Sequence, residues 1–329
     1  MLHPIRVCSA AAAIPILSLA LACAKGPVYT DPDNVDVDFA IQGEYTGDLV
    51  TESETEKIGV QVIALGNGRF RAVGYPGGLP GDGWDTSEKE EAAAESEAGI
   101  VTFQGDDGTA TIRDGVMMIH NNDGQDSGKL QRVVRESPTL GKQPPAGAVV
   151  LFDGTSAENF KNGRMTGDGL LTPGITSRQT FGSHHLHVEF RLPYQPEDHG
   201  QARGNSGLYV QGRYEIQMLD SCGLKGRDNE CGGIYSVQAP AVNMCFPPLS
   251  WQTYDVEFTA ARYDGDGQLV ENPRITVLHN GVMIHEDQEL PGDRVTPGGP
   301  SDAGPHPGPV FLQDHGNPVR YRNIWAVNK

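Results

Sequence analysis

The residue types most able to do chemistry are concentrated in one stretch. Between Gly204 and Asp220 the chain reads Gly-Asn-Ser-Gly-Leu-Tyr-Val-Gln-Gly-Arg-Tyr-Glu-Ile-Gln-Met-Leu-Asp. From Arg213 onward polar and apolar residues alternate. This predicts a strand with Arg213, Glu215 and Gln217 on one face and Tyr214, Ile216 and Met218 on the other. A guanidinium, a carboxylate and an amide in register suit a hydroxyl-rich ligand, although a solvated sheet face would carry the same types. Glu215 is the candidate proton-transfer group. Asn205, between Gly204 and Gly207, could offer its amide to a ligand or occupy a left-handed turn. Asp220 is either a second carboxylate or a turn former. Further on, Gln313 and His315 alternate onto one face at a strand end, where a histidine could give or take a proton near neutral pH. His279, just before Asn280-Gly281, is a candidate hydrogen-bonding group for structure or substrate. His184, His185 and His187 lack a matching carboxylate pattern and are expected at the surface. No dedicated metal-ligand spacing is evident and no cofactor is called for.

These residues need strands to hold them. With 42 Gly and 23 Pro in 329 residues, and little helical periodicity past the N-terminus, the chain is expected to be all-β, in two domains. Residues 1–23 have a single strong base, Arg6, an apolar run and the ending Ala20-Leu21-Ala22-Cys23. They resemble a bacterial lipoprotein signal in which Cys23 becomes the acylated first residue, the alternative being an ordinary secretory signal cut near Ala22. Either predicts export, with any contact to a membrane made through a lipid anchor. Residues 24–38 read as a tether. Residues 39–136 read as a small antiparallel meander, clearest in the hairpin around Gly66-Asn67-Gly68; residues 87–97, crowded with Glu and Ala, are expected as a loop. Pro138, Pro144 and Pro145 mark a linker over 137–147. Residues 148–329 carry about nine expected strands, with a hairpin at Asn280-Gly281 and a long Gly- and Pro-rich loop over 291–309, and suggest a sandwich or jelly roll.

Charge narrows the partner. A formal net charge of −18 and a pI near 4.9 exclude nucleic acid, whose phosphates call for clustered Lys and Arg, and leave a neutral polar partner. Of the five cysteines, Cys222, Cys231 and Cys245 remain once the leader and Cys23 are set aside. In an exported protein a disulfide among them is expected, with no pairing fixed.

The motifs Leu151-Phe-Asp-Gly154, Glu189-Phe-Arg191, Gly204-Asn-Ser-Gly207, Gly212-Arg-Tyr-Glu-Ile-Gln217, Cys231-Gly-Gly-Ile-Tyr235, Trp251-Gln-Thr-Tyr-Asp255 and Gly308-Pro-Val-Phe-Leu-Gln-Asp-His315 occur in one order along residues 148–329. Together they resemble the 3-keto-disaccharide hydrolase family, a concanavalin-like jelly roll. The resemblance does not cover the first domain, and the tryptophans usual after the first motif are replaced here by Phe160. It implies an enzyme cleaving 3-keto-glycosides, with an oligosaccharide or glycoside substrate supplied by a sugar 3-dehydrogenase. For such chemistry Glu215, His315 and Asp220 are the expected catalytic residues, and Asn205, Arg213, Gln217, Gln313 and His279 the expected substrate contacts. The spacing of Glu215, Gln217 and Asp220 is similar to that of paired carboxylates in laminarinase-type jelly rolls, so a retaining glycosidase is a competing expectation, as is a non-catalytic carbohydrate-binding module.

Overall fold

The computed structural model describes residues 26–50 and 54–329; Cys23 and its leader lie outside them. Eight antiparallel strands come first: β1 (Gly43–Val50), β2 (Thr55–Ala64), β3 (Arg69–Pro76), β4 (Glu90–Glu97), β5 (Ile100–Gln104), β6 (Gly108–Arg113), β7 (Val116–Asn121) and β8 (Asp126–Val133). Each pairs with the next, and β1 also pairs with β8, so the expected meander closes into a barrel and leaves no free edge. Its interior is filled by the inward-facing residues of these strands, among them Tyr45, Val62, Phe70, Phe103 and Leu130. The segment expected as a loop is in fact strand β4. Ala92 and Ala94 turn toward the core while Glu91, Glu95 and Glu97 stay in water, a period of two that a half-buried strand requires.

The remaining strands are β9 (Val149–Phe152), β10 (Phe160–Lys161), β11 (Ile175–Phe181), β12 (His184–Arg191), β13 (Ser206–Val210), β14 (Tyr214–Met218), β15 (Trp251–Thr259), β16 (Arg262–Tyr263), β17 (Leu269–Glu271), β18 (Arg274–His279), β19 (Val282–Glu289), β20 (Gly308–Leu312) and β21 (Arg320–Asn328). They form a five-stranded sheet, β10-β11-β20-β13-β14, facing a six-stranded sheet, β19-β18-β15-β12-β21-β9, with β16-β17 as a separate ribbon. Leu208, Val210, Ile216, Met218 and Leu312 from the first sheet meet Leu186, Val188, Phe190, Tyr254 and Val277 from the second in one continuous core. Asn280 and Gly281 both take positive φ, 51° and 78°, as the tight β18–β19 turn demands.

The two domains are joined by specific contacts. Arg203 Nη1 donates to the barrel carbonyl of Ala64, and Gly223 N donates to Gln61 Oε1 inside β2. Cys222 packs with Ile63, Val73 and Tyr75. Tyr29 pairs with Tyr194, so part of the stretch read as a tether lies against the sandwich. The linker is docked as well: Gly141 N and Lys142 Nζ bind the carboxylates of Glu189 and Asp255. Cys222, Cys231 and Cys245 are buried free thiols, which corrects the expected disulfide. Cys245 Sγ instead meets the Leu219 carbonyl at 3.4 Å and Cys231 Sγ meets the Tyr254 hydroxyl at 3.3 Å.

Candidate active site

Antiparallel register decides which side chains share a face. In the β13–β14 pair, Gly207 lies opposite Gln217 and Tyr209 opposite Glu215, and Tyr209 also lies opposite Phe311 of β20. Their neighbours Leu208, Ile216 and Leu312 fill the core, so Glu215, Gln217, Tyr209 and Gln313 share the opposite, outer face of the five-stranded sheet.

On that face Glu215 is 3% exposed and has no cationic partner among the described residues. Burial pushes its carboxyl up to about 7, against the pull of one hydrogen bond from Tyr209. That hydroxyl lies 2.8 Å from Glu215 Oε2. The other oxygen, Oε1, occupies the space above Gly207, where an added β-carbon would stand 2.1 Å from it. Gly207 is therefore a condition of the carboxylate's position. The 291–309 loop packs over this face: Thr296 Oγ1 receives Glu215 N at 2.9 Å, Pro297 O lies 2.7 Å from the Tyr209 hydroxyl, and Ser301 N donates to Gly212 O.

A chain of amides continues the site. Gln201 Oε1 accepts from Asn205 Nδ2 at 3.0 Å and from Gln217 Nε2 at 3.3 Å. Gln313 Nε2 donates to the Tyr209 hydroxyl at 3.2 Å. Asn205 Oδ1 and Gln313 Oε1 are buried acceptors without a protein donor, the state in which a ligand hydroxyl is most welcome. A cleft of about 390 Å³ is lined by Asn162, Gly163, Arg164, Gly174 and Asp314, the residue after Gln313. His315, one residue further, is exposed.

Three of the expected residues are not brought to Glu215. Arg213 directs Nε to Asp302 O at 2.6 Å and Nη1 to Gln211 Oε1 at 2.7 Å, fastening the loop rather than facing the carboxylate. Asp220 is buried against Arg203, Oδ2 to Nε at 2.6 Å, at the seam with the barrel. His279 lies in the other sheet, between Phe190 and Tyr254, with Nε2 2.9 Å from Gln252 Oε1; burial pushes its pKa down to about 3 and keeps it neutral. Tyr209 and Gln201 belong to the site although their types alone did not single them out. Tyr209 shares the parity of Gly207 and Asn205, the one signal that could have found it. The histidines expected at the surface divide: His184 and His187 are fully buried and His185 is exposed. His187 Nδ1 meets Asp255 Oδ1 at 2.9 Å, a partner 68 residues away that pairs only through sheet register.

No group of three or more His, Cys, Asp or Glu among the described residues could hold a metal ion. The family model of the 3-keto-alpha-glucoside-1,2-lyase-like domain matches residues 147–327. The chain belongs to that family. The lyase-like domain is thus the whole sandwich, and the barrel is an addition to it. A candidate glycosyl hydrolase from Parabacteroides distasonis ATCC 8503 of known structure is 31% identical, covering 56% of this chain and 85% of its own, with a TM-score of 0.51. A second candidate glycosyl hydrolase of the same organism is 19% identical over 56% of this chain and 94% of its own, with a TM-score of 0.41. No curated protein matches the chain. Membership of the lyase-like family makes this a carbohydrate-active enzyme with a glycoside substrate.

Proposed function

We propose that the enzyme cleaves 3-keto-glycosides by proton abstraction at C2, with Glu215 as the base. The observation that carries this reading is a buried carboxyl with no counter-ion, half-ionised near pH 7 and with one oxygen unbound, on a face lined with amides. A base poised near working pH matches a weakly acidic C–H better than a fully ionised one. The C3 carbonyl acidifies the C2 proton. Glu215 takes that proton and the C–H electron pair becomes the enolate; when C3=O reforms, the C1–O bond breaks and the leaving alcohol takes a proton. Water then adds at C1 and C2 recovers a proton, giving net hydrolysis. Gln217 Nε2, held only by a 3.3 Å bond, is the donor left for the enolate oxygen, since Arg213 is engaged elsewhere. Asn205 Oδ1 and Gln313 Oε1 would accept sugar hydroxyls. His315, exposed just past Gln313, would protonate the leaving oxygen. Because Asp220 is neutralised by Arg203, the paired carboxylates of a retaining glycosidase are the weaker reading. The substrate must come from a dehydrogenase that oxidises a glycoside at C3.

Cleavage of a 3-keto disaccharide in heavy water should leave deuterium on C2 of the released sugar. Unlabelled product formed from the unoxidised disaccharide would overturn the reading. Glu215→Gln should abolish turnover by about 10²-fold or more while retaining ligand binding; loss of binding alone would favour a carbohydrate-binding module.

A further inference from the structure

The Tyr209 hydroxyl has one proton and two acceptors. Glu215 Oε2 lies 2.8 Å away and Pro297 O, in the loop, 2.7 Å away, while Gln313 Nε2 donates from 3.2 Å. The phenol is fully buried, and burial and the neighbouring Glu215 carboxylate push its pKa far up, so it keeps its proton. The loop crowds it: a β-carbon on Gly298 would stand 2.9 Å from the hydroxyl. With Glu215 ionised, the charge-assisted bond claims the proton. The Pro297 carbonyl then faces an oxygen lone pair at hydrogen-bond distance. With Glu215 protonated, the carboxyl donates to Tyr209 and Tyr209 donates to Pro297, so all three oxygens are satisfied.

We propose that Tyr209 is a positioning residue that reports the protonation state of Glu215 to the 291–309 loop, latching the loop while Glu215 holds a proton and loosening it when the proton leaves. Resting on the base assignment above, this means that the proton taken from C2 is what fastens the loop over the intermediate, and its return opens the site for product release. Among the described residues no other charge competes at this point. Arg213 is turned to Gln211 and Asp302, Asp220 to Arg203, Thr296 meets Glu215 only through its hydroxyl, and the remaining titratable neighbour is the Tyr235 phenol.

Hydrogen exchange tests this without any substrate. Thr296 N donates to Arg213 O and Ser301 N to Gly212 O, so these amides report the loop's attachment. After correction for intrinsic exchange, their protection should fall several-fold between pH 5.5 and 8.5 in the wild-type chain. It should stay high and independent of pH in Glu215→Gln, whose amide donates permanently, and low and independent of pH in Tyr209→Phe. Protection indifferent to pH in the wild type, or equally dependent on it in Glu215→Gln, would overturn the coupling even if turnover follows the proposed chemistry. In turn, Tyr209→Phe should shift the acid limb of kcat/KM to higher pH, because the lost hydrogen bond is the one that favours the ionised carboxylate. An unmoved limb would remove Tyr209 from its positioning role.

Discussion

Glu215 is held where its charge is costly. Its folded pKa of about 7 lies above the ordinary glutamate value, so the folded state binds the proton more tightly than the unfolded one. The associated stability is fully present below about pH 4.5 and lost as pH rises through about 7. Replacing Glu215 by Gln should therefore leave urea stability unchanged at pH 4 and raise it at pH 8, by at most about 3 kcal/mol; a variant no more stable at pH 8 would mean the carboxylate is better solvated than its burial implies. Under the proposed chemistry, this stability is given up to keep a base available. Alternation after Arg213 was enough to place Glu215 and Gln217 on one face, and Gln313 followed the same logic, whereas Asn205 was singled out only by its flanking glycines. Arg213 failed because it stands just before β14, in the turn, where strand parity no longer governs direction. Asp220 and His279 failed because their partners, Arg203 and Gln252, come from other elements that no local pattern names.

Strand β12 shows what register adds to a sequence. Its buried His187 sits between Asp255 of β15, at 2.9 Å, and Glu189, at 3.6 Å, and stacks on Trp325. Burial would lower its pKa, but the two carboxylates outweigh this and raise it. Glu189 is brought down to about 2 against its own burial, by His187, Asn323, Arg322 and the amide of Gly141. Because Gly141 and Lys142 of the linker bind these same carboxylates, the cluster clamps the interdomain connection to the sheet. The signs run in opposite directions. The histidine contribution is present below pH 6.5 and lost above its raised pKa; the glutamate contribution is present above about pH 4.5 and lost on acidification toward 2. The stability difference between wild type and His187→Asn should thus be largest near pH 5.5 and shrink by pH 8.5, as read by urea unfolding; a constant difference would show that packing on Trp325, and not charge, sets the effect. Strands with strong apolar alternation, such as β15 and β18, were legible in the sequence. Strand β11 was not: between Ile175 and Phe181 it carries Thr-Ser-Arg-Gln-Thr, of which only Ser177 is buried, and a shifted register with β20 supplies the pairing that composition hides.

At the scale of the whole molecule, the barrel was legible as a meander, but its closure depends on β1 meeting β8 across some 80 residues of chain, a contact that no local signal carries. Export remains a proposal from the leader: a Cys23→Ser variant should leave the membrane fraction for the soluble one, and continued retention would reject the lipid anchor. The three thiols divide by position. Cys222 lies under the barrel against Ile63, Val73 and Tyr75, whereas Cys231 and Cys245 lie inside the sandwich. The chain thereby carries its own gauge of how it comes apart. A thiol-reactive dye at low urea should reach Cys222 whenever the domains part, and the other two only when the sandwich itself opens. Labelling of all three at one rate would mean that barrel and sandwich unfold as a single cooperative body, and the order of reaction would tell which half lets go first.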